Sequence, residues 1–172
     1  MLPDVILLNG TSSSGKSSLA RALQRRAGTP LLHASLDQFT DMFLWEAITD
    51  PDTRRACHTA GVAHFHRTLA IFAQSPFGII VDHLLLTPAW HEATLAALAG
   101  RRIHFIGVKC PPAVLLQREA ARPDRRPGLA RGQLEGVHSG RSYDLEIDTS
   151  LAPPEACADR VLAFIRSRPV PS

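Results

Sequence analysis

DVILLNGTSSSGKSS, residues 4–18, decides how this chain is read. Val5, Ile6, Leu7 and Leu8 form an unbroken apolar run, the pattern of a strand buried on both faces. From Gly10 the sequence GTSSSGKS meets G-x-x-x-x-G-K-[ST] at every fixed position: Gly10, Gly15, Lys16 and Ser17. SLARALQRRAG then places Leu19, Ala20 and Leu23 on one helical face and Arg21, Arg25 and Arg26 off it, with Gly28 as the stop. A motif of this kind between a strand and a helix is a phosphate-binding P-loop.

The residue types suit that chemistry. Phosphate oxygens approach backbone N–H groups closely, and glycines at Gly10 and Gly15 keep the loop clear of Cβ atoms. The helix beginning at Lys16 offers free N–H groups and the positive end of its dipole. The predicted nucleotide cradle is Gly10, Thr11, Ser12, Ser13, Ser14, Gly15, Lys16, Ser17 and Ser18. Lys16 is expected to reach the β- and γ-phosphates, and the Ser17 hydroxyl to ligate Mg²⁺.

The size and composition set the frame. The 172 residues fit one domain, 1–172, and 45% apolar with 20% charged residues describes a soluble globule. No apolar run approaches the length of a membrane span, and Met1 leads into the first strand with no signal peptide predicted. Cys57, Cys110 and Cys157 are three and far apart, which suits a reducing cytoplasm and gives no zinc spacing. A formal charge of +3 gives nucleic acid little to bind.

Along the chain, LLHASL at 31–36 reads as strand two and ends at Asp37. A carboxylate there lies at the carboxyl edge of a parallel sheet, where ligands bind. Two roles stand open for Asp37: general base toward an acceptor hydroxyl, or N-cap of the next helix. Asp41, four residues on, either shares its face or is solvated. FTDMFLWEAI at 39–48 is predicted helical, with Phe39, Met42, Phe43 and Trp45 either lining an acceptor pocket or packing in the core.

Asp50-Pro51-Asp52 interrupts, and a second helix is expected from about 53 to 74. Its His64 and His66 do not face each other, and no metal site is expected there. GIIVD at 78–82 is strand three, an apolar run closing on Asp82, a Walker B-type candidate for holding Mg²⁺. The alternative for Asp82 is a buried structural acid. His83 behind it reads as a structural or substrate-edge residue.

Thr87-Pro88 starts the next helix, and RIHFIGVK at 102–109 is strand four. Arg118, Arg122, Arg125, Arg126 and Arg131 then crowd a stretch interrupted by Pro123, Pro127 and Gly128. Beside a P-loop, such a cluster over 118–132 reads as a lid that closes over the nucleotide and balances charge on the transferring phosphoryl group. YDLEID at 143–148 is strand five, and Pro153-Pro154 opens the last helix. The expected fold is a five-stranded parallel sheet with helices on both faces, a P-loop kinase fold with an arginine-rich lid. GTPase base-recognition signatures are absent, which favours ATP as donor.

Taken together these residues resemble the chloramphenicol phosphotransferases, small P-loop kinases. The resemblance rests on LLNGTSSSGKSS at 7–18, Leu36-Asp37, IIVD at 79–82, C-x-x-A-V-x-x-x-R-E-x-A-R-x-D-R at 110–125 and YDLEIDTS at 143–150. It implies ATP-dependent phosphorylation of a hydroxyl on an antibiotic, with Asp37 as the proposed base and Arg118, Arg122 and Arg125 as lid arginines. Two features depart from the family's pattern. The family commonly carries a pair of acids after strand three, whereas here His83 follows Asp82, and the segment between strands two and three is shorter. Both flank the acceptor end. The expected partners are ATP, Mg²⁺ and a small hydroxyl-bearing acceptor, in the cytoplasm, without nucleic acid or membrane; self-association is left open. The rivals are a kinase of another hydroxyl compound and a non-catalytic ATP-binding protein.

Overall fold

The computed structural model describes residues 4–121 and 129–168. Five strands form one all-parallel sheet: β1 (Val5–Asn9), β2 (Leu31–Ser35), β3 (Gly78–His83), β4 (Ile103–Lys109) and β5 (Leu145–Asp148), in the spatial order β2-β3-β1-β4-β5. The alternating pleat of β1 explains why its apolar run is continuous. Val5 and Leu7 face one layer with Ile79, Val81, Phe65 and Leu69; Ile6 and Leu8 face the other with Leu19, Leu23, Ile106 and Val161. Helices α1 (Lys16–Arg26) and α7 (Pro154–Ser167) cover the second layer, and α3 (Pro51–Phe72) and α4 (Pro88–Ala97) cover the first. The central strand β1 thus delivers its carboxyl end, and the loop that follows, to the edge where open α/β sheets bind ligands.

Local signals set several of these boundaries. Asp50 Oδ2 accepts from the Thr53 N–H at 2.7 Å and caps α3, with Pro51 at its first position. Thr87 does the same for α4, accepting from Trp90 N–H at 3.2 Å.

The structure corrects the reading of residues 36–48. Strand β2 ends at Ser35, and Leu36 already belongs to a short helix, α2 (Leu36–Thr40). Gln38 Oε1 accepts from the Ser35 N–H at 3.1 Å, the return half of a capping box, so Ser35 rather than Asp37 is the N-cap. The predicted helix over 39–48 does not form; only a 3-10 turn at Trp45–Ala47 follows α2. The carbonyls of Trp45 and Ile48 accept from Arg54 Nη1 at 2.5 and 2.7 Å, so a side chain occupies acceptors that a continuing helix would offer to its own amides.

Between β4 and β5 the chain forms α5 (Pro112–Ala120) and α6 (Leu129–His138). Arg118 lies in the last turn of α5, so the stretch read as a lid begins within a helix. Helix α6 went unread in the sequence, because Gly132 and Gly136 dilute its pattern. No described helix is long and apolar enough to cross a membrane.

Candidate active site

A cleft of about 1040 Å³ opens at the carboxyl edge of the sheet. Its donor half is the loop after β1, the start of α1, and the segment 149–154; its acceptor half is formed by α2, the start of α3 and the segment after β3.

The loop is fixed from below. Asn9 ends β1 with its side chain buried: Oδ1 accepts from Leu85 N–H at 2.9 Å, and Nδ2 donates to Val137 O at 2.9 Å and Tyr143 Oη at 2.8 Å. One amide thereby ties the loop after β3, α6 and the approach to β5 to the P-loop. Gly10 is required by its neighbours in the chain whether or not a ligand is bound. A Cβ there would lie 2.4 Å from the Val108 carbonyl oxygen of β4. Gly15 has φ +92°, the left-handed region, and a Cβ on it would press on Thr149 at 3.3 Å.

Three hydroxyls in this loop have no explanation among the described residues. Ser12, Ser13 and Ser14 bury their Oγ atoms with no hydrogen-bond partner among the described residues. Buried polar groups are nearly always paired, and an orphaned set around a helix N-terminus fits the oxygens of bound phosphates. Lys16 Nζ donates to Gly10 O at 2.9 Å and Thr11 O at 2.8 Å, folding its ammonium across the loop.

Beside the loop, Ser17 Oγ donates to Asp82 Oδ2 at 2.7 Å. Asp82 is buried at the end of β3, and His33 Nε2 stands 3.5 Å from the same oxygen. Burial alone would raise the Asp82 pKa. The His33 imidazole, the Lys16 ammonium and the Ser17 hydroxyl outweigh it and hold the carboxyl below its ordinary value. Among the described residues no group of three or more His, Cys, Asp or Glu side chains is placed to hold a metal ion. A hydroxyl and one carboxylate fit Mg²⁺ in the manner of phosphate-assisted sites, where substrate oxygens and water complete the shell.

Asp37 lies in the first turn of α2 and lines the acceptor half, so the structure brings Asp37, Lys16, Ser17 and Asp82 to one cleft. Of the four large apolar side chains left open in the sequence, only Trp45 lines the cleft. Phe39 packs edge-on to Phe65 at 5.4 Å, Phe43 tilts against Trp45 at 5.5 Å, and Met42 is 73% exposed. Asp41 is exposed at the end of α2.

Arg118 reaches the cleft, but its guanidinium grips Thr149: Nη1 donates to Oγ1 and Nη2 to the carbonyl, both at 2.9 Å. The Thr149 hydroxyl donates onward to Ser14 O at 2.6 Å. Arg118 therefore buttresses the P-loop through Thr149. Arg122 and Arg125 lie outside the described residues.

Three features go beyond the sequence reading: Gln133, the contacts of His83, which the sequence presents only as a structural or substrate-edge residue, and Arg54. Gln133 of α6 is buried, lines the cleft, and accepts from the Ser12 N–H through Oε1 at 2.8 Å. His83 Nε2 lies 3.0 Å from His66 Nε2, while its Nδ1 accepts from Leu84 N–H at 2.9 Å. Those partners assign the proton to Nε2 of His83, which donates to His66. Burial first, then the neighbouring His66, push the His83 pKa down to about 3, so the ring stays neutral. It stacks on Trp90 at 5.8 Å and 16° and serves as a wall of the cleft. The third feature is Arg54, which lines the acceptor half beside Trp45. Ser12 and Gln133 lie 121 positions apart and His66 and His83 lie 17 apart, so these pairings leave no local signal, whereas Arg54 bonds carbonyls within nine residues of itself.

A parallel five-stranded sheet, a P-loop and a cleft at its carboxyl edge define a kinase of the P-loop class, a nucleotide-dependent phosphotransferase acting on a hydroxyl. The chain belongs to the family described as "Chloramphenicol phosphotransferase-like protein", whose sequence profile matches residues 3–166. Two Mycobacterium tuberculosis proteins, from strains CDC 1551 / Oshkosh and ATCC 25618 / H37Rv, are provisionally named O-phosphotransferases. Each is 26% identical over 189 residues, covering 97% of this chain and 84% of the relative. Among solved structures, the fold is similar to a Mycobacterium tuberculosis APS kinase bound to AMPPNP and APS, at TM-score 0.72 and 16% identity, covering 96% of this chain and 99% of that one. It is also similar to a gluconokinase from Sinorhizobium meliloti 1021, at TM-score 0.67 and 22% identity, with 96% and 93% covered. Family and fold make the protein a small-molecule kinase.

Proposed function

We propose that this protein transfers the γ-phosphoryl group of ATP to a hydroxyl of a small molecule, with Mg²⁺. The observation that carries this reading is the trio of buried hydroxyls without a hydrogen-bond partner among the described residues, Ser12, Ser13 and Ser14, in the loop that borders one cleft with the Ser17–Asp82 pair and Asp37.

In this mechanism the acceptor oxygen attacks the γ-phosphorus as the bond to the β–γ bridging oxygen breaks and ADP leaves. The loop N–H groups and Ser12–Ser14 hydroxyls bind the phosphates, and Lys16 swings from its two carbonyls to the β- and γ-oxygens. Ser17 and Asp82 would hold Mg²⁺, which would supply positive charge against the phosphates when bound. Asp37 orients the acceptor hydroxyl and takes its proton as the new P–O bond forms. Arg118 acts through Thr149, keeping the loop in shape, and Arg122 and Arg125 are assigned to the charge of the transferring group. Because phosphoryl transfer passes through a loose transition state, positioning and electrostatics supply most of the rate, and the base less.

Family membership supports chloramphenicol or a related antibiotic as acceptor, the reaction being resistance by inactivation. A specific observation favours a second reading, a different small hydroxyl compound. The acceptor half is lined by Arg54, Arg55 and His58, and a neutral His83 stands after Asp82. Mass spectrometry of hydroxyl compounds incubated with protein, ATP and Mg²⁺ tests the reaction. A gain of one phosphoryl group, absent with Lys16→Ala, is the expected result; ATP binding with no acceptor modified would refute it.

A further inference from the structure

We infer that the acceptor carries an oxyanion group, a carboxylate or a phosphate, seated on the outer edge of Arg54. The inference rests on the kinase reading in its second form, an acceptor other than the uncharged chloramphenicol, and names the substrate class of the same cleft.

The argument begins with how the guanidinium is spent. Arg54 is half-buried at the start of α3, stacked over the Trp45 ring with its Cζ 5.2 Å from the centroid. Both Nη1 hydrogens are taken by the carbonyls of Trp45 and Ile48. Those two bonds and the indole face fix the plane and direction of the group. The other edge, formed by Nε and Nη2, has no hydrogen-bond partner among the described residues. That edge presents two parallel N–H donors, the fork that matches a carboxylate or phosphate bidentately. Arg54 is also a lining residue of the cleft, together with Trp45, Asp37 and Trp90.

Filling the cleft sharpens the selectivity. An acceptor that seats its hydroxyl on Asp37 displaces water from the acceptor half. A neutral apolar acceptor would leave the Nε and Nη2 hydrogens of a fixed cation dry and unpaired, a penalty it does not repay. An oxyanion repays it with charge-assisted bonds. Arg55, exposed and paired with Asp52 at 2.9 Å, and His58 also line this half. Its acids are Asp37, assigned to the reacting hydroxyl, and Asp82, engaged by Ser17. The trapped Trp45–Ile48 segment is the one that departs from the predicted helix, so the device explains a local irregularity as well.

The test reads acceptor binding without nucleotide, so that it stands apart from turnover. Thermal shift and calorimetry are run on polyhydroxy monocarboxylates and sugar phosphates, against their primary amides and dephosphorylated counterparts. The proteins are wild type, Arg54→Gln, Arg54→Lys and Arg55→Gln. The expected result is that charged members bind wild type and their neutral counterparts do not. Arg54→Gln should weaken that binding by about tenfold or more, Arg54→Lys should restore part of it, and nucleotide affinity should stay at the wild-type level as proof of folding. Arg55→Gln, at an exposed position, should weaken the charged ligands modestly and spares the Trp45–Ile48 segment. Equal binding of the neutral counterparts, no binding by any charged member, or charged-ligand affinity untouched in Arg54→Gln would each overturn the inference. Chloramphenicol phosphorylated equally well by wild type and Arg54→Gln would remove the anion site while leaving the kinase reading intact.

Discussion

Thr149→Val isolates a support that the motif alone does not reveal. The substitution keeps the shape of the side chain and removes its hydroxyl. That hydroxyl donates to Ser14 O at 2.6 Å and accepts from Arg118 Nη1 at 2.9 Å. Each such bond contributes about 1 kcal/mol net, so stability should fall by about 2 kcal/mol, read by urea unfolding. The same loss reaches the site, because Ser14 belongs to the cradle and Gly15 packs against Thr149. Part of the cost of ordering the loop then falls on the nucleotide, and 1.4 kcal/mol of it is a tenfold effect. We expect the Kd for a non-hydrolysable ATP analogue to rise about tenfold by calorimetry. Thr149→Ser, which keeps the hydroxyl, should lie near wild type in both measurements. A Thr149→Val protein that loses stability yet binds nucleotide like wild type would refute the strut from α5 to the P-loop. So would a Thr149→Ser protein as impaired as Thr149→Val.

Other expectations follow from the same geometry. Asp37→Asn should lower kcat by about a hundredfold with nucleotide Kd unchanged, as positioning is kept and the proton acceptor lost; steady-state kinetics and calorimetry check it, and equal loss in both would mean a structural role. Gln133→Glu keeps an acceptor for the Ser12 N–H but brings a negative charge beside the phosphates, so nucleotide Kd should rise about tenfold and the defect should shrink in high salt. Burial first, with nearby cations, holds His138 down to about 4, as burial holds His83 near 3. Both fold as neutral rings, so the unfolded chain binds more protons below its ordinary histidine pKa of about 6.5, and stability is lost as pH falls from there toward 4. Urea unfolding should show a slope on the order of 1 kcal/mol per pH unit in that window, flattened in His138→Gln; an unchanged slope in that variant would remove His138 from the account.

The strands and the loop were legible because their signals are local. Val5–Leu8, the spacing of Gly10, Gly15, Lys16 and Ser17, and the run into Asp82 each declare themselves within a few residues. What stayed hidden depends on partners far apart in sequence. Asp37 stood open between general base and N-cap; Gln38 reaching back to Ser35 makes Ser35, a residue the sequence reading did not consider, the cap. The 39–48 segment satisfies helical periodicity, yet Arg54 claims two of its carbonyls from outside. His66 and His83 look solitary on their own elements and meet only when α3 packs on the sheet. The glycine spacing marks the loop, but it does not show that a Cβ at Gly10 would meet the Val108 carbonyl, a contact nearly a hundred residues away.

The most direct test of the central claim is a mass measurement. A panel of hydroxyl compounds, chloramphenicol and the hydroxy-carboxylates included, is incubated with the protein, ATP and Mg²⁺ beside a Lys16→Ala control. The account predicts that at least one compound gains a single phosphoryl group with one ADP formed per product, and that the control gives none. Nucleotide bound at the P-loop with every compound unmodified, or phosphorylation persisting in Lys16→Ala, would contradict it.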